Sequence, residues 1–132
     1  MLLYQEWYKP KDVAVNETWE VRYYEAPTGQ APVLDFLLSL PAKHRAKIVQ
    51  AIGRLEVFGP SLGFPDTSAV KGSGFRELRT RFAGQQYRIL YVQDGPAFIL
   101  FGAFHKTSDR DLERAVREAQ KHLDQHRAEA SR

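Results

Sequence analysis

A chain of 132 residues with a hydrophobic share of 43% has room for one compact domain with a real core, and it is too short for two ordinary domains. The absence of cysteine excludes disulfides, thiolate catalysis and cysteine-ligated zinc sites. A net charge of +3 fits a small soluble enzyme as well as an RNA-binding protein, so the distribution of the charges matters more than their sum.

The first 18 residues predict an arm, or an added edge strand, outside the core domain. Tyr4, Trp7 and Tyr8 recur there without a clear helix or strand period. Glu6 interrupts the short apolar start before a signal-peptide core or a membrane span can form. We therefore expect a cytoplasmic protein without a membrane partner.

The next elements are predicted to be a strand and two helices. Aromatic or aliphatic residues alternate with charged ones over residues 19–25, which is the period of a strand. Apolar residues then recur at helical spacing over 32–40 and 41–58, and Pro41 suits the first turn of the second helix. The stretch 61–74, which contains several Gly and a Pro, predicts a loop.

Three consecutive strands are predicted over residues 75–82, 86–93 and 97–104, joined by segments of hairpin length. The last of them is almost wholly apolar, so helices should cover both of its faces. Ser108 and Asp111 have the spacing of a capping box, which indicates that a final helix begins there.

This final helix is expected to end near residue 126 and to leave a frayed tail over 127–132. The order β-α-α-β-β-β-α then predicts one α+β domain over residues 19–126. Its sheet should be small and mostly antiparallel, with the two N-terminal helices and the C-terminal helix packed on it.

Basic residues concentrate in the second and third predicted strands, at Arg76, Arg79, Arg81 and Arg88. Arg79 and Arg81 share a strand face with Glu77 and lie ~7 Å apart, a spacing that resembles successive phosphates. A solvated strand face with a salt bridge to Glu77 explains this pair equally well. Arg88 lies in a central strand, where a charge needs either a ligand or a buried ion pair.

A second candidate site is the junction between the apolar strand and the final helix. The ammonium of Lys106 should emerge close to helix N-terminal amides, which favour phosphate, and the hydroxyls of Thr107 and Ser108 add possible donors. His105 points to the opposite side of an extended strand. A functional role for His105 and a simple surface position are equally compatible with the sequence.

Neither a metal nor a cofactor is predicted. His122 and His126 have a metal-compatible i, i+4 spacing, but the sequence offers no evident third ligand. Residues 72–74 (Gly-Ser-Gly) lack the Lys-Ser/Thr of a P-loop and precede a strand, which argues against nucleotide binding.

Three segments together resemble one protein family. Residues 78–81 (Leu-Arg-Thr-Arg), 87–91 (Tyr-Arg-Ile-Leu-Tyr) and 103–107 (Ala-Phe-His-Lys-Thr), followed by a capped helix, resemble the RelE/ParE superfamily of toxins, in particular the phage-derived HigB-like branch. The resemblance covers about residues 19–122. It implies a RelE-like fold and the toxin of a type II toxin–antitoxin system. Such a toxin is a ribosome-dependent, metal-independent endoribonuclease, an mRNA interferase that cleaves mRNA by attack of the 2′-OH and so inhibits translation.

The resemblance also implies partners and residue roles. The partners are a cognate helix-turn-helix antitoxin, the 70S ribosome and mRNA. The family's basic strand pair falls on Arg79 and Arg81, its central-strand arginine on Arg88 and its basic residue after the sheet on Lys106. The candidate catalytic residues are Arg81, Arg88, Lys106 and His105. The candidate RNA-binding residues are Arg76, Arg79, Lys71, Tyr87, Phe104 and Thr107.

The general acid and base are left open between Lys106 and His105. The HigB-like branch often has a second lysine where this chain has His105, and no tyrosine follows Tyr91 to match the C-terminal tyrosine of some RelE proteins. Two alternative functions also fit the sequence. One is a non-catalytic RNA- or ribosome-binding module with the same basic face, and the other is a structural domain that binds a protein partner.

Overall fold

The computed structural model describes residues 19–131, so the arm predicted over 1–18 lies outside the described residues. The elements are β1 (Glu20–Tyr23), α1 (Pro32–Ser39), α2 (Ala42–Phe58), a 3₁₀ turn (Gly59–Ser61), β2 (Thr67–Ala69), β3 (Arg76–Phe82), β4 (Gln85–Asp94), β5 (Ala97–His105) and α3 (Asp109–Ala130). The strands form one sheet in the order β1-β5-β4-β3-β2. β1 is parallel to β5, and the other pairs are antiparallel, which confirms the predicted α+β class.

Helices cover both faces of β5, as its apolar sequence predicted. On one face, α1 and α2 contribute Leu37 and Ile52 to a core that includes Leu100. On the other face, Leu123 of α3 packs in a second core with Phe101. Burial of each such side chain stabilises the fold by roughly 1.5–3 kcal/mol, so the sheet is held from both sides at its centre.

The turn between β3 and β4 fixes which of their residues stand opposite each other. Ala83 and Gly84 both have positive φ, 51° and 77°, which is the backbone of a type I′ hairpin turn. The tight turn sets the register, in which Arg79 pairs with Arg88 across the two strands. Arg88 in turn pairs with Phe104 of β5. These three residues therefore form one row across the sheet.

Two local predictions differ from the structure. Residues 67–69, predicted as loop, form the short strand β2, which pairs with β3 only from Arg76 to Leu78. A strand of three residues shows too little alternation to be recognised in a stretch rich in Gly and Pro. Helix α3 continues to Ala130, beyond its expected end near residue 126, so the predicted frayed tail is helical up to that point. The strong helix propensity of Arg, Ala and Glu supports these exposed turns.

Candidate functional site

Three arginines and one glutamate share a face of the sheet at the β3–β4 hairpin. Glu77, Arg79 and Arg81 alternate along β3, and Arg88 stands opposite Arg79 on β4. Phe104 stands beside Arg88 on the same face and joins the core under α3. The strand period therefore places Arg79, Arg81 and Arg88 together, as expected.

Glu77 is buried among these arginines. Its Oε1 accepts a hydrogen bond from Arg79 Nε at 2.8 Å and lies 3.3 Å from Arg88 Nε. The side chain of Arg88 is only 9% exposed, so the buried ion pair considered from the sequence does exist. Arg88 Nη2 also donates to the Oε1 of Gln86 at 3.1 Å.

The ion pair leaves bonding capacity unused. Glu77 Oε2 is buried and has no hydrogen-bond partner among the described residues, and Arg88 Nε contacts Glu77 Oε1 as an ion pair without a well-aligned hydrogen bond. Three guanidinium groups share this face with one carboxylate, which pairs with two of them, so the face keeps a net positive charge. Burial, together with the charges of Arg79 and Arg81, lowers the pKa of Arg88, while Glu77 opposes this shift. A bound anion such as phosphate would offset the same repulsion.

Arg81 and Lys106 extend the charged face to the end of the sheet. Arg81 is exposed and pairs across the strands with Gln86. The amide of Lys106 donates to the carbonyl oxygen of Gln86 at 2.8 Å, which continues the β4–β5 ladder one residue beyond β5. Lys106 therefore has the orientation of Phe104 and follows the arginine face. Its Nζ lies 3.9 Å from Asp109 Oδ1, a distance at which the ammonium is only loosely paired.

A cleft of about 500 Å³ opens beside this face at the outer edge of β3. The edge is accessible because β2 pairs with β3 only as far as Leu78. The cleft is lined by Lys47, Gln50, Arg54, Pro65, Asp66, Arg79, Thr80, Arg81 and Arg88. Five of these lining residues are basic and one is acidic, so the cleft suits an anionic chain.

Sequence reasoning missed the contribution of α2 to this cleft. Lys47, Gln50 and Arg54 are spaced i, i+3 and i+7, which places them on one stripe of the helix. This polar stripe was the feature of the sequence that could have indicated a binding surface on α2. Its position against β3 depends on the packing of α2 on the sheet, which no local pattern in the sequence specifies.

Two of the predicted site residues lie on the opposite face of the sheet. The hydroxyl of Tyr87 is hydrogen-bonded to His44 Nδ1 at 2.7 Å, under α1 and α2. The His105 ring packs against the Tyr87 ring, with 5.5 Å between the centroids. Phe82 adds an edge contact to His44. Tyr87 and His105 are therefore separated from the arginines by the thickness of the sheet.

Two further predicted RNA-binding residues stand apart as well. Arg76 lies on the same side of β3 as Leu78 and donates to Thr67 Oγ1 at 2.9 Å, so it braces β2 instead of joining the arginine face. Lys71 is exposed in the turn between β2 and β3. The structure brings together Arg79, Arg81, Arg88 and Phe104, with Lys106 next to Gln86 at the end of the same face. It separates Arg76, Lys71, Tyr87 and His105 from them.

The N-terminus of α3 does not offer the predicted phosphate site. Its capping box is present, and Asp111 Oδ2 accepts hydrogen bonds from the amides of Thr107 and Ser108 and from the Thr107 hydroxyl. The hydroxyl and amide of Thr107 lower the pKa of Asp111. Asp109 adds a second negative charge in the first turn. The chain's own carboxylates thus occupy the position that a phosphate needs.

The two histidines of α3 serve packing. His122 and His126 both contact the ring of Tyr24, at centroid distances of 5.0 and 6.3 Å. Among residues 19–131, no group of three or more His, Asp or Glu side chains is arranged to hold a metal ion. The described part of the chain also contains no helix with the length and apolar character needed to cross a bilayer.

A model of the phage-derived Gp49-like protein family (DUF891) matches residues 35–124, which is more than half of the chain. The chain belongs to this family. Gp49-like proteins are a RelE/ParE-like family of toxins from toxin–antitoxin systems. The matched range includes all the arginines of the charged face and Lys106, so the family assignment covers the candidate site. No curated protein sequence matches the chain.

Proposed function

We propose that this Gp49-like chain is a toxin of the HigB-like branch that cleaves mRNA on the ribosome without a metal ion and thereby inhibits translation in the cytoplasm. The observation that carries this proposal is the arginine face beside a basic cleft, on which Arg79 and Arg88 pair with the buried carboxylate of Glu77 and Arg81 has no ion pair among the described residues. The family supports an antitoxin as partner, and we propose that a helix-turn-helix antitoxin neutralises the toxin.

The proposed reaction is attack of a 2′-OH on the adjacent phosphate. The 2′-oxygen forms a bond to phosphorus, the bond to the 5′-oxygen breaks, the 2′-OH loses a proton and the 5′-oxygen gains one. The products are a 2′,3′-cyclic phosphate and a 5′-OH. Extra negative charge on the phosphoryl oxygens must be stabilised in the transition state, which suits guanidinium forks.

Each arginine has a distinct part in this scheme. Arg81 and Arg88 hold the phosphoryl oxygens, because Arg81 forms no ion pair among the described residues and Arg88 lines the basic cleft with its Nη2 bonded to an uncharged side chain, that of Gln86. Arg79 positions the mRNA strand, since the hydrogen bond of 2.8 Å from Arg79 Nε to Glu77 fixes the guanidinium group. One preorganised donor of this kind contributes about 10²- to 10³-fold in rate.

Lys106 is the better candidate for protonating the 5′-oxygen. It follows the arginine face, whereas His105 packs against Tyr87 on the other side. Among residues 19–131, Glu77 is the one carboxylate within the arginine cluster, and it is already held by Arg79 and Arg88. The proton acceptor is therefore assigned to the ribosome–mRNA complex, which fits cleavage that depends on the ribosome.

The second candidate is an RNA- or ribosome-binding module without catalytic activity. It is favoured by one observation: the arginine face suits phosphate binding, while a lysine follows this face within residues 19–131 at one position, Lys106, and its ammonium is loosely paired with Asp109. Turnover separates the two functions. A binder protects mRNA stoichiometrically, whereas a nuclease yields fragments in excess over the protein.

The proposed function is tested with the purified protein and ribosomes that carry a defined mRNA. The mapped cleavage position is then replaced by a 2′-deoxynucleotide in an otherwise identical mRNA. We expect the all-ribose mRNA to be cleaved with 2′,3′-cyclic phosphate ends. In the substituted mRNA, cleavage should be lost at the 2′-deoxy position only. Equal cutting of the deoxy mRNA would contradict the 2′-OH mechanism, and stoichiometric protection without fragments would support the binding module.

A further inference from the structure

The most exposed large hydrophobic side chain of the described residues is that of Phe64, which is 79% exposed. It lies between the 3₁₀ turn and β2 and is followed by Pro65 and Asp66, which line the basic cleft. Burial of this aromatic ring would stabilise the fold, so its exposure beside a cationic cleft has no benefit for stability. An exposed apolar side chain at such a place is typical of a binding site.

The segment that carries Phe64 is anchored on both sides. Thr67 is completely buried, its hydroxyl donates to the carbonyl of Leu62 at 2.7 Å, and its amide donates to the carbonyl of Gly63 at 3.0 Å. The amide of Arg79 donates to the carbonyl of Asp66 at 2.8 Å. These hydrogen bonds fix the backbone before and after Phe64. The ring is therefore exposed on a segment whose backbone is held in place.

The ring is also linked to the arginine face. Arg79 Cζ lies 5.6 Å from the centroid of the Phe64 ring, within the range of a cation–π contact. The Nε of the same guanidinium group donates a hydrogen bond to Glu77. One arginine therefore connects the buried carboxylate to the exposed ring, and most of the ring surface stays open to a ligand.

We propose that Phe64 stacks on a base of the single-stranded mRNA and so positions the strand across the open edge of β3. This inference rests on the proposed function and identifies the part of the substrate that the cleft reads. Single-stranded RNA is bound where a basic groove follows the phosphates and aromatic rings stack on unpaired bases. The cleft supplies the basic groove through Lys47, Arg54 and Arg81, and Phe64 supplies the ring.

The test compares Phe64→Ala with Phe58→Ala, a matched control. Phe58 is 51% exposed at the end of α2 and does not line the cleft. The probe is a short 2′-O-methyl RNA that cannot be cleaved and that carries one 2-aminopurine. Phe64→Ala is expected to weaken binding about tenfold and to reduce the quenching of 2-aminopurine, while Phe58→Ala leaves both unchanged.

Phe64→Trp is expected to restore binding and quenching, because an indole ring also stacks on bases. In ribosome-dependent cleavage, Phe64→Ala should raise KM about tenfold and leave kcat within about twofold of wild type, as expected for a residue that positions the strand away from the reacting atoms.

The inference is overturned if Phe64→Ala binds the probe as tightly as Phe58→Ala. It is also overturned if Phe64→Ala weakens only binding to the antitoxin, which would make the ring part of a protein interface. The oligonucleotide assay involves no cleavage. The stacking result therefore stands or fails separately from the 2′-deoxy experiment that tests the proposed nuclease.

Discussion

Tyr87 and Arg88 are neighbours on β4, both almost fully buried, and they lie on opposite faces of the sheet. On the Tyr87 face, α1 and α2 close over the strand, and the hydroxyl is satisfied by His44 at 2.7 Å. On the Arg88 face, Glu77 pairs with Arg79 and Arg88, Arg81 forms no ion pair, and Glu77 Oε2 lacks a hydrogen bond among the described residues. The two side chains are thus buried to a similar extent, but the polar group of Tyr87 is paired and the charges around Arg88 are not balanced.

The difference indicates where function is to be sought. A buried polar group that is paired, as the Tyr87 hydroxyl is, contributes to stability and offers little to a ligand. A face with excess charge and unused donors is held together at a cost in stability, and a ligand of opposite charge relieves that cost. Substitutions on the two faces should therefore differ in their effects on stability and on cleavage.

Arg88→Ala should lower the free energy of unfolding by about 3 kcal/mol, because it leaves the buried carboxylate of Glu77 with Arg79 alone. Denaturation with urea measures the change. Arg117→Ala, a change of the same type at an exposed position of α3, should alter stability by no more than about 0.5 kcal/mol. An Arg88→Ala loss below about 1 kcal/mol would show that Glu77 does not depend on Arg88.

Lys106→Ala should lower ribosome-dependent cleavage about 100-fold, since the 5′-oxygen then lacks its proton donor. His105→Ala should stay within about twofold of wild type, because its ring lies on the Tyr87 face. Single-turnover rates at saturating toxin compare the two variants. The opposite order of effects would transfer the proton donor to His105 and break the proposed division between the faces.

Tyr87→Phe should cost about 1 kcal/mol of stability, the usual contribution of one intramolecular hydrogen bond, here the bond to His44. Cleavage should stay within about twofold of wild type, because the hydroxyl faces away from the arginines. Thermal unfolding and the cleavage assay together check this prediction. A large loss of cleavage in a stably folded Tyr87→Phe protein would place the Tyr87 face in the site.

The sequence predicted the elements whose patterns are local. The alternation in β3 places Arg79 and Arg81 with Glu77, and the short turn at Ala83 and Gly84 brings Arg88 opposite Arg79. β2 escaped prediction because three residues of Thr, Ser and Ala show no strand period.

The composition of the cleft was beyond local patterns. Lys47 and Arg54 reach β3 only through the packing of α2, and the position of Phe64 depends on hydrogen bonds from Thr67 and Arg79. Tyr87 and His105 lie on the face opposite the arginines, because strand parity separates each of them from its neighbours Arg88 and Lys106. Parity was available in the sequence, whereas the tertiary contacts were not.

The most direct test of the arginine face is the cleavage rate of ribosome-bound mRNA by Arg81→Ala, with Arg117→Ala as the matched control. Arg81 is exposed and forms no ion pair among residues 19–131, so its removal should leave folding intact. We expect a loss of about 10²- to 10³-fold for Arg81→Ala at unchanged stability, and no loss for Arg117→Ala. Undiminished cleavage by a folded Arg81→Ala protein would contradict the assignment of the site.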